Sequence, residues 1–450
     1  MYERGSKIPF TAALTLLTVG FAYELWRHLP SAGDFWTFWA AARALHANLD
    51  PYVSANLTRV ALPPKAPGSF LSPLAVAEIL EPLGALPFRI ARLIWLAISL
   101  GLSGALVPLL LRQGGIPWHW RSALTGTALL LAFQPYNITL WLGQTDVVVV
   151  VAIATGWFLM DRGRPYLGGL VLSMAAFDIH FLPAFGLYFL VSAAKAERRA
   201  ALLGLVTGLA VIGAACLAYP TDVIQWIFVT LPHAQASAIE PWDTLSVLQA
   251  TSELLGVHAG RIVTALLDLA VIGVAIPIWR RGGSPDRDLA VCAVVALATT
   301  TFGYNQDYLL LVLAFPFLAR QWRLGESRSW ISAMAFSLAA GYGLAELTGG
   351  PVAPNHALFL LGSPLLALVV MRSLPSLRTE SSRIAWRWAT IWMLATIIGY
   401  ALLTAVQKEI GAELVMLSGL LAFLALLGQR VLQRAGQGDP RTLRTDRQYP

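Results

Sequence analysis

Apolar runs of membrane-crossing length, cut by short polar breaks, set the pattern of the chain from residue 8 to residue 430. A helix needs about 20 apolar residues to cross the hydrocarbon core, and fewer where the bilayer thins. The runs predict spans at 8–27, 93–111, 120–134, 143–160, 166–180, 181–194, 200–218, 260–280, 288–303, 306–320, 329–346, 354–371, 388–405 and 412–430. The pair 166–180 and 181–194 reads equally well as one bent element, which gives about 12 to 14 crossings. The run from Ile8 to Trp26 follows Arg4 and Lys7 but lacks a small-residue cleavage site, so it reads as a retained first helix.

Two stretches between spans are long, 28–92 and 219–259. In the first, "FWTFWAAARAL" places aromatics at 35, 38 and 39 and apolar residues at 42 and 45 on one helical face, pointing into lipid or into the bundle. "LSPLAVAEILEPLGALP" carries Glu78, Glu81 and three prolines, and predicts a re-entrant or surface-lying helix. In the second stretch, Trp226, Phe228 and Trp242 suit the headgroup level. No internal repeat is visible, and a polar tail follows Arg434.

Composition agrees with a membrane solvent: 57% of residues are hydrophobic and 13% charged, with a mean hydropathy of +0.64. A soluble chain carries about a quarter charged residues. The net charge of +7 does not point to nucleic acid, because basic residues of membrane proteins collect in cytoplasmic loops. With the N-terminus inside and spans alternating, the inside loops and both termini hold 24 of the 32 Lys and Arg residues. Six of the seven histidines (all but His119) fall at or near the outer side, as do Asp34, Asp50, Asp146, Asp178, Asp222, Glu240, Asp243 and Asp307. Ionisable groups in lipid are costly and mark function, so the working surface is expected outside. Cys216 and Cys292 have no metal or disulfide spacing, and no Asp/His ligand cluster is evident, so neither metal nor cofactor is expected.

Asp34 follows the first span and is ringed by Phe35, Trp36, Phe38 and Trp39. It suits an N-cap of the helix that follows. It equally suits a general base, because partial desolvation makes a carboxylate a better proton acceptor. "FDIHFLP" sets Asp178 and His180 at a break in an apolar region, either as a solvated turn or as a pair flanking a cavity. "TFGYNQDYLL" sets Asn305, Gln306, Asp307 and Tyr308 at another break, as a tight turn or a sugar or phosphate site. Gln144 and Asp146 open a span as cap, substrate contact or both. Asp268, central in a span, needs a partner inside the bundle.

In order, Gly33-Asp34-Phe35 with "FWAAARAL", "DPY" at 50–52, "SPLAVAEILEPLGALP" and "LGQTD" at 142–146 resemble glycosyltransferase family 87 over most of the first 320 residues. The resemblance implies an all-α, polytopic GT-C-like bundle that uses polyprenyl-phosphate sugars, with interfacial helices in the first external loop. It maps a proposed catalytic base onto Asp34, the family's "GQ" onto Gly143 and Gln144, and a later polar patch onto Asn305, Gln306 and Asp307. Where the family tends to place a lysine near a proline, this chain has His180, with Asp178 beside it. The donor phosphate then falls to His180, or to Arg43, Arg59, Lys65, Arg89 or Arg92.

The resulting expectation is one transmembrane catalytic domain over 1–434 and a cytoplasmic tail over 435–450, in the inner or plasma membrane with both termini inside and the active site external. It moves mannose or an arabinofuranose-like sugar from a polyprenyl-phosphate donor to a glycolipid or glycan acceptor with inversion. Asp34 acts as base. Donor and substrate contacts come from His180, Asp178, Gln144, Asp146, Asn305, Gln306, Asp307, Tyr308, Arg43 and Lys65. The expected partners are that donor, that acceptor and membrane lipids, and no nucleic acid. The rival reading is a transporter or flippase of lipid-linked sugars, disfavoured by the missing repeat and by polar residues gathered at one face.

Overall fold

The computed structural model describes residues 33–61, 69–131, 133–232, 248, 251–252, 255–300 and 304–323. The expected spans at 8–27 and beyond residue 323, Lys65, the Asn305 side chain and the polar tail lie outside the described residues. Among the described residues every regular element is helical, as an all-α polytopic membrane protein requires.

The stretch after the first expected span folds into three short helices, α1 (Phe35–His46), α2 (Ser54–Ala61) and α3 (Leu74–Gly84). α1 begins where the Asp34 carbonyl accepts from Thr37 N–H (2.9 Å) and Phe38 N–H (3.1 Å). Its alanines and three of its four aromatics are buried, with Phe35, Phe38 and Trp39 all sealed in protein. The face expected to meet lipid or bundle therefore meets the bundle. It packs on α3, and the Trp39 indole donates to Leu86 O at 3.0 Å. Trp36 stacks on Trp39 at 5.3 Å and meets the edge of Phe88 at 4.6 Å. Removing one such buried aromatic costs about 3–5 kcal/mol.

Then come α4 (Phe88–Gln113), α5 (Trp120–Leu131), α6 (Gln134–Leu142), α7 (Asp146–Asp161) and α8 (Pro165–Leu172). A 3₁₀ stretch (Ser173–Phe181) leads into α9 (Leu182–Val191) and α10 (Ala196–Cys216). α4, the run Pro165–Val191, α10 and α12 (Val257–Arg281) are long and apolar enough to cross a membrane. α4 alone is about 39 Å long at 1.5 Å per residue.

The run Pro165–Val191 turns back on itself. Asp178 leaves helical geometry at φ −123°, ψ 78°. Gly156 of α7 lies against Gly168, before this break. The neighbouring Trp157 packs on Phe185, Tyr188 and Phe189, after it. An unbroken helix would hold Gly168 and Tyr188 about 30 Å apart, so they could not meet the same turn of α7. The segment is a hairpin with Asp178 and His180 at its tip. Its first arm packs on α10 through Gly169, Gly204 and Gly208, the last two spaced as a small-xxx-small face that lets backbones touch.

α11 (Pro220–Gln225) continues into a π turn (Trp226–Thr230) whose Trp226 indole donates to Leu71 O at 2.9 Å. α12 leads to α13 (Pro285–Ala298), then a 3₁₀ stretch (Asn305–Ala314) and α14 (Phe315–Arg323). At the end of the bundle away from the hairpin tip, Tyr188 donates to Asp288 Oδ2 (3.2 Å). Arg287 pairs with Asp288 Oδ1 (3.1 Å), Arg198 lies over the Tyr188 ring, and Arg320 reaches Asp286 (3.2 Å). Asp286 and Asp288 are buried and each faces an arginine, which is the condition for keeping such charges there.

Candidate active site

Asp34 occupies the cap position of α1, yet its side chain makes no capping hydrogen bond. The carboxylate is turned instead toward Gln144, whose side-chain amide donates to Asp34 Oδ2 at 2.5 Å. The side-chain cap open to this acid is not formed.

Gln144 is delivered by a tight turn between α6 and α7. Gly143 ends α6 in the left-handed region (φ 76°), which only glycine adopts at low cost. The turn is held from α4: Arg92 Nη2 donates to Leu140 O (3.0 Å) and Trp141 O, and Trp95 Nε1 to Gly143 O (2.9 Å). On the opposite side Gly33, also left-handed at φ 48°, packs against the Leu142 backbone so closely that a Cβ has no room. Phe35 stacks on Trp95 at 5.9 Å with the Arg92 guanidinium over its ring at 5.6 Å.

Two residues past Gln144, Asp146 opens α7 and is buried. It lies close to Asp178 at the hairpin tip and to Asp307. His180 Nε2 stands 3.4 Å from Asp307 Oδ2. Asp307 Oδ2 also accepts Tyr304 N–H at 2.8 Å, capping its own 3₁₀ stretch. The turn reading of Asp307 is thus realised. Asp146 Oδ1 and His180 Nε2 have no hydrogen-bond partner among the described residues.

The fold therefore gathers Gln144, Asp146, Asp178, His180 and Asp307 around the start of α7, with Asp34 joined through Gln144. Gln306 and Tyr308 are buried in the same 3₁₀ stretch as Asp307. Arg43 is not brought there. It lies nine residues beyond Asp34, about 13 Å along α1, with its guanidinium over Trp39 (5.2 Å) and reaching Gly84 O (3.4 Å). Arg59 and Arg89 are exposed. Asp268 stays apart in α12, with Oδ1 buried and no hydrogen-bond partner among the described residues. Among those residues no group of three His, Cys, Asp or Glu side chains is arranged to hold a metal. The sequence reading missed the helix Gln134–Leu142 and the role of Trp95. The left-handed preference of Gly143 was the signal that a helix ends there.

The model of glycosyltransferase family 87 matches residues 70–300, just over half of the chain. The matched segment contains Gln144, Asp146, Asp178 and His180, while Asp34 and Asp307 lie outside it and join the cluster by contact. The chain is 28% identical over 333 residues to a polyprenol-phosphate-mannose-dependent alpha-(1-2)-phosphatidylinositol pentamannoside mannosyltransferase of Mycolicibacterium smegmatis, covering 68% of this chain and 76% of the relative. It is 27% identical over 318 residues to the protein of the same name from Mycobacterium tuberculosis, covering 67% and 70%. No solved structure matches it. A helical membrane bundle and a family match across α3 to α13 lead to one assignment: the chain belongs to glycosyltransferase family 87 and is a membrane glycosyltransferase.

Proposed function

We propose that the enzyme transfers mannose from polyprenyl-phosphate-mannose to a hydroxyl of a mannosylated glycolipid or glycan, with Asp34 as general base. The observation that carries the reading is the Asp34 carboxylate, released from helix capping and fixed by Gln144. Support for the donor comes from the relatives, whose names specify polyprenol-phosphate-mannose dependence.

Asp34 takes the proton of the acceptor hydroxyl as its oxygen attacks the anomeric carbon. The bond from that carbon to the phosphate oxygen breaks, and the phosphate leaves with the electron pair. A single displacement inverts the configuration. Asp146, Asp178 and Asp307 offer acceptors to the ring hydroxyls, and the imidazole of His180 faces the charge developing on the phosphate. The site lies on the external side, since the paired basic end of the bundle (Arg198, Arg287, Arg320) is the one the positive-inside rule assigns to the cytoplasm.

The test is reconstitution in proteoliposomes with labelled polyprenyl-phosphate-mannose and phosphatidylinositol mannosides. Formation of a labelled glycolipid with the anomeric configuration opposite to the donor's is expected. Retained configuration rejects the single displacement, and movement of intact donor across the bilayer without transfer restores the transporter reading.

A further inference from the structure

Arg92 is a buried cation near the start of α4, 2% exposed, touching neither Asp34 nor Gln144 by any hydrogen bond described above. An uncompensated charge in such a place is expensive. Its compensation comes from the C-terminal end of α6, where the last carbonyls carry the negative pole of the helix dipole. Nη2 binds the carbonyls of Leu140 and Trp141, and the guanidinium lies over Phe35 and against Gly143. Nε and Nη1 have no hydrogen-bond partner among the described residues. Trp95, one helical turn on, fixes the carbonyl of Gly143. The turn carrying Gln144 is thus gripped on α4 by Arg92 and Trp95, and pressed on its other side against Gly33, the residue before Asp34.

We propose that Arg92 is a positioning residue: it sets the place of Gln144, and through that amide the orientation of the Asp34 carboxylate. The proposal rests on the reading of Asp34 as the base. It separates Arg92 from the residues available to hold the donor phosphate. The guanidinium faces the underside of the turn, and its removal acts on the chemical step rather than on donor affinity. Ångström-scale misplacement of a reacting group costs roughly 100-fold in rate, and loss of one of several restraints costs part of that.

The experiment compares kcat and donor KM, with labelled polyprenyl-phosphate-mannose in proteoliposomes, for wild type, R92M, R92K, W95F, Q144A, R92M/Q144A and D34N. R92M is expected to lower kcat roughly 30-fold with donor KM within about twofold, and R92K, which still reaches a carbonyl, to recover most of the loss. W95F loses one grip and falls less. The double variant R92M/Q144A is expected to be no slower than Q144A, because the two side chains act in series. A rise in donor KM at constant kcat overturns the proposal in favour of a direct phosphate contact. Losses that multiply in the double variant overturn it in favour of an independent structural role. Should R92M fail to fold, R92K and W95F, each combined with Q144A, carry the same test, and multiplying losses there overturn the proposal equally. Full activity of D34N rejects the base reading itself, an outcome visible whatever the Arg92 and Gln144 ratios show.

Discussion

Gln144 donates its side-chain amide to the carboxylate of Asp34, 110 residues earlier in the chain. The bond joins the first-loop helices to the bundle and explains why an acid at a helix start leaves the cap unused. A carboxylate serving as base must be held in a defined direction, and an amide donor holds it without adding charge.

Gln144→Ala is therefore expected to lower kcat roughly 100-fold, the low end of the range found for loss of one preorganised donor at a reacting charge. Gln144→Glu is expected to be worse, since it sets a second carboxylate against Asp34. Steady-state transfer rates at saturating donor check both.

Asp307 serves two partners with one oxygen, the Tyr304 N–H and the His180 ring. Asp307→Asn keeps an acceptor for the cap but loses the charge facing the imidazole, whereas Asp307→Ala loses both. Both variants are expected to raise donor KM. Only the alanine variant should also lose about 1 kcal/mol of stability, read as an earlier thermal transition in detergent.

The Asp288 network and the His46–Glu81 pair differ in burial, and their contributions should differ accordingly. Asp288→Ala strands Arg287 and Arg198 in the interior and is expected to destabilise by about 3 kcal/mol. His46 and Glu81 are 3.4 Å apart but exposed, and His46→Ala should change stability by less than about 0.5 kcal/mol. Apparent melting temperatures at one scan rate separate the two cases.

Two glycines of α10 make a sharper pair. A side chain at Gly204 meets the carbonyl of Tyr166, while one at Gly213 meets nothing. Gly204→Leu is expected to abolish monodisperse folded protein. Gly213→Leu should be neutral or stabilising by up to about 1 kcal/mol, the helix-propensity difference.

Much of this architecture was legible in the chain because lipid imposes apolar runs of fixed length, which mark α4, α10 and α12 to within a few residues. The breaks were legible too: "FDIHFLP" became the hairpin tip, and Tyr304 with Asp307 the cap of a 3₁₀ stretch. Periodicity does not tell lipid from protein as the partner of an apolar face, so the burial of Phe35, Phe38 and Trp39 emerged only from packing. Nor does spacing show which way a polar side chain turns. Arg43 stands only nine residues from Asp34 in sequence, yet it is spent on Trp39 and Gly84. Arg92, set beside it as a phosphate ligand, holds a backbone turn. Helix α6 is nine residues long and too short to stand out among longer apolar runs.

The central claim is that Asp34 removes the acceptor's proton. Transfer from labelled polyprenyl-phosphate-mannose by reconstituted Asp34→Asn tests it most directly, with folding checked by its thermal transition. The asparagine keeps the size of the side chain and can still bond Gln144 through its carbonyl oxygen, but it cannot take the proton. Loss of at least roughly a hundredfold in kcat with the fold intact is the predicted result. Transfer at the wild-type rate would contradict it.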